Sequence, residues 1–108
     1  MRKGWEQRKV NENCMGCKFT RWYIKSPNGN FYHIYRGYVW KTIYMAMDIN
    51  DCKKSIPIGN TYNEAIKKVY EMESNGTYSK QLSKDVQNNK ECKRLFTSNN
   101  KVKSYYSY

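Results

Sequence analysis

Apolar and polar positions alternate most regularly on either side of Pro27-Asn28-Gly29-Asn30. Phe19-Thr20-Arg21-Trp22-Tyr23-Ile24-Lys25-Ser26 precedes this stretch, and Phe31-Tyr32-His33-Ile34-Tyr35-Arg36 follows it. Aromatic and β-branched runs flanking Asn-Gly are a strong hairpin signal, because a type I′ turn needs positive φ at both central residues. A two-residue loop at Asn28-Gly29 sets Ser26 opposite Phe31 and sorts the side chains with period two. One face then carries Trp22, Ile24, Phe31, His33 and Tyr35, and reads as a core. The other carries Arg21, Tyr23, Lys25, Tyr32, Ile34 and Arg36. Cations and rings together suit a sheet that meets nucleic acid, since cations pair with phosphates and rings stack on bases.

Further along, Arg36-Gly37 marks a bend, and Tyr38-Val39-Trp40-Lys41-Thr42-Ile43-Tyr44-Met45-Ala46-Met47 reads as a long third strand. Val39, Ile43, Met45 and Met47 share one parity. With that set turned inward, Tyr38, Trp40 and Tyr44 extend the exposed aromatic surface; a one-residue shift at Gly37 exchanges the two sets. Ser55-Ile56-Pro57-Ile58-Gly59 reads as a short edge strand, because Pro57 has no N–H for a ladder. Thr61-Tyr62-Asn63-Glu64 is a capping box that opens a helix, and Asn75-Gly76 supplies the left-handed residue that closes it. Tyr62, Ala65, Ile66, Val69 and Tyr70 form its apolar stripe. The expected partner of that stripe is the Trp22, Ile24, Phe31 and Tyr35 face.

The pattern therefore predicts an α+β fold: a small three- to four-stranded antiparallel sheet with one helix packed on one face. Residues 1–13 are polar, with only Trp5 and Val10 as anchors, and read as a loose arm. Residues 14–76 form the sheet-plus-helix core. In residues 77–96, Leu82, Val86, Cys92, Leu95 and Phe96 line a gapped second helix, with Lys80, Lys84, Lys90, Lys93 and Arg94 outside it. That outer face is solvated in the plain reading and follows phosphates in the functional one. Residues 97–108 lack periodicity and read as a disordered tail.

Composition adds a partner class. The 108 residues hold 20 Lys and Arg against 9 Asp and Glu, a net charge of +11. Such a balance gathers polyanions and speeds encounter with them. No apolar run approaches the ~18 residues of a membrane span, and no secretory signal is read at the start. A reducing cytoplasm is the expected compartment, and the abundance of Asn, Lys and Tyr suggests a bacterial or phage origin. Cys14-Met15-Gly16-Cys17 has the spacing with which two thiolates take two corners of a zinc tetrahedron. Cys52 and Cys92, or His33 with one of them, would have to complete it; ordinary reduced thiols and no cofactor are the other reading.

Catalytic signals are sparse. His33 falls on the inferred core face as a structural imidazole, and neither a Walker loop nor a dinucleotide fingerprint occurs. The chain reads as a non-enzyme.

The order strand, Asn-Gly turn, strand, strand, then Gly59-Asn60-Thr61-Tyr62-Asn63-Glu64-Ala65 opening a helix, resembles two families over residues 19–76. They are the three-stranded DNA-binding domains of the plant apetala type and the arm-binding domain of phage tyrosine recombinases. The resemblance implies a sheet face that enters the major groove, with Arg21, Lys25 and Arg36 in contact and Tyr23, Tyr32 and Trp40 packing beside them. Tyr38 and Tyr44 complete the expected contact set. Two functions fit: a nucleic-acid-binding protein, or a phage-type inhibitor of the anti-CRISPR kind that docks on a host nucleoprotein enzyme. Tyr, Trp and Arg anchor protein interfaces as readily as they meet bases.

Overall fold

The computed structural model describes residues 2–14, 17–37, 41–49 and 53–97, the side chains of Asn13, Cys14 and Cys17 excepted. Five strands succeed one another across a single antiparallel sheet: β1 (Glu6–Cys14), β2 (Cys17–Lys25), β3 (Phe31–Gly37), β4 (Ile43–Ala46) and β5 (Ser55–Gly59). Helices α1 (Tyr62–Asn75), α2 (Lys80–Gln87) and α3 (Lys90–Thr97) follow. The fold is α+β, with α1 packed on one face as the pattern predicts. The other face is not free, because α2 and α3 cover much of it.

That second covering follows from the register of the β2–β3 hairpin. Lys25 stands opposite Phe31, Tyr23 opposite His33 and Trp22 opposite Ile34, one residue away from the expected pairing. Ser26-Pro27-Asn28-Gly29 makes the turn instead of Asn28-Gly29 alone: the Gly29 N–H donates to the Ser26 carbonyl at 3.0 Å, and the Asn30 N–H to Ser26 Oγ at 3.0 Å. Ser at the first position, Pro at the second and Gly at the fourth are the preferences of a type I turn. Sheet parity makes a one-residue slip in one strand exchange its two faces. Trp22 and Ile24 therefore share the α1 side with Tyr32 and Ile34, whereas Phe31, His33 and Tyr35 join Tyr23 on the α2–α3 side.

The α1 core consists of Trp22, Ile24, Tyr32, Ile34, Ile43, Met45 and Ile58 against Ala65, Ile66 and Val69. Half of the capping box forms as expected, the Glu64 N–H donating to Thr61 Oγ1 (3.2 Å); the Glu64 carboxylate accepts from the N–H of Asn60, one residue before the cap. Gly76 closes the helix in the left-handed region (φ 64°), where a side chain would clash with its own backbone. At the same end, Glu73 grips the hairpin turn. Its carboxylate accepts from Tyr32 Oη (2.6 Å), Asn28 Nδ2 (2.7 Å) and Asn30 Nδ2 (3.0 Å).

Three expectations change. Residues 6–13 of the expected loose arm belong to a nine-residue strand, β1, paired along its length with β2. Val10 is buried, and Trp5 packs against Tyr70 and Tyr32. Charged edge strands lack the alternation that betrays a strand, and pairing holds them in place. The long third strand is the four-residue β4 where it is described, and Ser55–Gly59 does lie at the sheet edge. Finally, the second helix is two helices parted at Asn88-Asn89, with Asn89 Oδ1 capping α3 through the Cys92 N–H (3.1 Å). The break closes the gap in the stripe, since Leu82, Val86, Cys92 and Leu95 can all then turn to the sheet.

Candidate nucleic-acid interface

The expected contact set does not occupy one surface. Tyr23 and Tyr32 are 2% and 0% exposed, on opposite sides of the sheet. Tyr23 donates to Glu91 Oε1 of α3 (2.6 Å) and Tyr32 to Glu73 of α1. Burial first, and then the neighbouring carboxylate, hold both phenols protonated well above the ordinary tyrosine range. Arg21 and Lys25 lie on the α2–α3 side, with the Lys25 ammonium 5.8 Å from the centre of the Phe31 ring. Arg36 lies on the α1 side, its guanidinium 6.0 Å from the Trp22 ring centre. Tyr44 is half-buried and stacked on Tyr35 at 6.0 Å. Tyr38 and Trp40 lie outside the described residues. The hairpin slip is the physical reason for this scattering, because it moved β3 by one face relative to β2.

Arg21 is engaged inside the molecule. Its Nε donates to Glu12 Oε2 (3.1 Å) and its Nη1 to His33 Nε2 (3.2 Å). His33 is buried, as expected, between the rings of Tyr23 and Tyr35. Accepting at Nε2 leaves the proton on Nδ1, and Nδ1 is buried with no hydrogen-bond partner among the described residues. Burial, and then the Arg21 charge, push the imidazole down to about 3. Glu12, Arg21, Tyr23, Ile49, Asn89, Lys90 and Glu91 surround a cavity of about 330 Å³. Its carboxylates are already held by Arg21 and Tyr23, so the cluster serves to fasten α3 to the sheet.

The register does assemble a different basic surface. Beyond Trp22 and Ile34 the next row across β1, β2 and β3 is Asn11, Thr20 and Arg36. Lys9 and Lys18 flank that row on the same side, and all five residues are exposed or half-exposed. Thr20 Oγ1 donates to Asn11 Oδ1 at 3.0 Å. Neighbouring strands lie about 4.8 Å apart, so these donors stand at fixed spacing on a rigid platform, with no carboxylate among them. Arg36 was legible in the sequence. Lys9, Asn11, Lys18 and Thr20 are not legible there, because the polar run of β1 lacks strand alternation and Thr20 and Lys18 carry no periodic signal of their own. A second cationic surface lies on α2 and α3, where Lys80, Lys84, Lys90, Lys93 and Arg94 are exposed as expected.

The zinc expectation divides. Cys52 and the side chains of Cys14 and Cys17 lie outside the described residues. Cys92 is fully buried with Leu82, Val86 and Leu95, and burial, then the Glu91 charge, push its thiol up to about 12. It packs as a small apolar side chain rather than presenting a thiolate. Among the described residues no group of three or more His, Cys, Asp or Glu is placed to hold a metal ion. Among them, too, no helix is long and apolar enough to cross a membrane. Comparison of the chain with family models, with characterised proteins and with solved structures found no match.

Proposed function

We propose that this protein binds nucleic acid, without catalysis, through the outer rows of its sheet on the α1 side. The observation that carries the reading is the group Lys9, Asn11, Lys18, Thr20 and Arg36. Three cations and two hydrogen-bonding side chains lie across three paired strands, beside the Trp22 ring. Cations on a rigid sheet neutralise phosphates at fixed intervals, and the uncharged donors fit sugar and phosphate oxygens. The net charge of +11 supplies the long-range attraction. A bacterial or phage cytoplasm, where polyanions are abundant and thiols stay reduced, is the setting we assign.

Binding measured by fluorescence anisotropy against duplex DNA, single-stranded DNA and RNA, over a series of salt concentrations, tests this. Changing Lys9, Lys18 and Arg36 together to Ala reduces the slope of log K against log[salt] by about 2–3. The same number of cations removed from α2–α3, as Lys80→Ala, Lys84→Ala and Lys93→Ala, changes the slope less. If the helix variant loses more, the sheet is not the contact surface.

A second reading, docking on a host nucleoprotein enzyme, draws on Met47 and Ile56. These are 45% and 38% exposed near the turn between β4 and β5, unusual for large apolar side chains in so polar a chain. Retention of one host protein after nuclease treatment, with no binding to naked nucleic acid, would favour it.

A further inference from the structure

Residues 2–5 do not trail away from the sheet; they fold back onto α1. The Arg2 N–H donates to Tyr70 Oη (3.0 Å), the Trp5 N–H to the Arg2 carbonyl (3.2 Å), and the Trp5 ring meets Tyr70 edge-on at 4.8 Å. Gly4 makes this return possible. Its φ of 88° disfavours any side chain, and a Cβ there would stand 3.0 Å from Pro27 Cγ. Trp5 alone would anchor the segment, yet the chain continues until the Arg2 guanidinium lies 4.2 Å over the Tyr70 ring.

Between this segment and α1 lies a recess of about 310 Å³ lined by Arg2, Tyr62, Asn63, Ile66, Lys67 and Tyr70. Its composition is one-sided. Arg2 and Lys67 bring positive charge, Asn63 brings an amide, and the Tyr70 hydroxyl, accepting from Arg2, keeps its own proton to donate. Among the described residues no carboxylate lines it, unlike the cavity beside Glu12 and Glu91 or the groove holding Glu64 and Glu71. Ile66 and the two phenol rings supply apolar and flat wall. Donors and cations select an anion, and a planar cation over an aromatic ring gives a stacking platform for a base.

We infer that this recess binds a nucleoside monophosphate, its phosphate held by Arg2 and Lys67 and its base laid against the tyrosine and guanidinium surfaces. The ligand is either a free nucleotide or the phosphorylated end of a strand, which share this chemistry. The recess borders the proposed interface: Tyr62 donates to Gln7 of β1, two residues from Lys9. The inference goes beyond the sheet reading and does not depend on it, because a mononucleotide reports on the recess alone and the salt slope on the sheet.

The test is titration of the full chain with adenosine 5′-monophosphate, followed by the backbone amide resonances of Asn63 and Lys67. Saturable shifts are expected there, and Lys67→Glu, an exposed substitution, weakens binding about tenfold or more. Lys84→Glu on α2 makes the same change in net charge on the other side of the sheet and alters affinity less than about twofold. A tetranucleotide with a 5′-phosphate that binds more tightly than its 5′-hydroxyl twin assigns the recess to strand ends. Equal binding of the twins, with the mononucleotide still bound, assigns it to free nucleotides. Absence of saturable shifts overturns the inference. So does equal weakening by the two glutamate variants, or inorganic phosphate binding as tightly as the mononucleotide.

Discussion

Each face of the sheet is fastened by a tyrosine of a central strand donating to a helix glutamate, Tyr32 to Glu73 on one side and Tyr23 to Glu91 on the other. The surroundings of the two bonds differ. On the α1 side a fourteen-residue helix with defined caps covers an aliphatic core, and Glu73 also holds the hairpin turn. On the other side two eight-residue helices rest on a smaller cluster beside a polar chain that runs from the half-buried Glu12 and Arg21 to the buried, neutral His33. Two further contacts dock α2: Ser83 Oγ accepts the Phe31 N–H, and Tyr78 donates to the Phe31 carbonyl. Short helices are marginal without tertiary support. The α1 side is therefore expected to carry more of the stability, and the α2–α3 side to open first.

The sharpest way to break that distinction is a pair of core truncations. Ile34 is wholly buried under α1, and Ile34→Ala is expected to cost about 3–4 kcal/mol and to weaken the whole molecule in chemical denaturation. Leu95→Ala is expected to cost about 2–3 kcal/mol, and in hydrogen exchange to release the amides of α3 while α1 stays protected. Equal loss of protection in both helices would erase the difference between the faces.

Acid sharpens the comparison from the other direction. Unfolded, His33 titrates near 6.5; folded, it is pushed down to about 3. Between those values the unfolded chain binds a proton that the folded chain does not. His33 therefore contributes stability that is complete above about pH 6.5 and declines as pH falls toward 3, by as much as about 1.4 kcal/mol per pH unit. His33→Gln flattens this dependence between pH 6 and 4. An unchanged slope in that variant would place the acid sensitivity elsewhere.

Smaller effects separate the two tyrosine bonds. Burial opposes ionisation of Glu73, yet hydrogen bonds from Tyr32, Asn28, Asn30 and Ser26 outweigh it and hold the carboxyl below its usual range. Glu73→Gln is expected to cost about 2 kcal/mol at neutral pH. That cost shrinks as pH falls below the ordinary carboxylate value and through the lowered one, where the wild-type group also gains its proton. Tyr23→Phe removes a single bond on the opposite face and is expected to cost about 1 kcal/mol. Thermal denaturation of both variants over pH 3–7 reads the two together.

Local chemistry made part of this molecule legible. Thr61 and Glu64 announced α1, Asn75-Gly76 its end, and Pro57 the edge strand, because each works through neighbours in sequence. The apolar set Leu82, Val86, Cys92 and Leu95 was also visible, though the break at Asn88-Asn89 was not: those residues cap and turn only once both helices have a sheet to lie on. β1 was hidden because an edge strand of Glu, Gln, Arg, Lys and Asn is specified by its partner. The two faces of the hairpin differ from the expected ones because of a single turn. Ser-Pro-Asn-Gly contains the Asn-Gly of a tight hairpin, but Pro27 takes the second position of a wider one, and that choice exchanged the faces of β3.

Pro57 also limits how a second strand could be added to this sheet. At that border of the sheet the backbone has no hydrogen to offer at residue 57, so a neighbouring chain cannot continue the ladder across it. The opposite border is longer, but charged side chains such as Glu6 and Lys9 disfavour the docking of a second strand there. Both borders of this open sheet, in a chain with eleven tyrosines, thus carry features that work against strand-by-strand growth into a fibre.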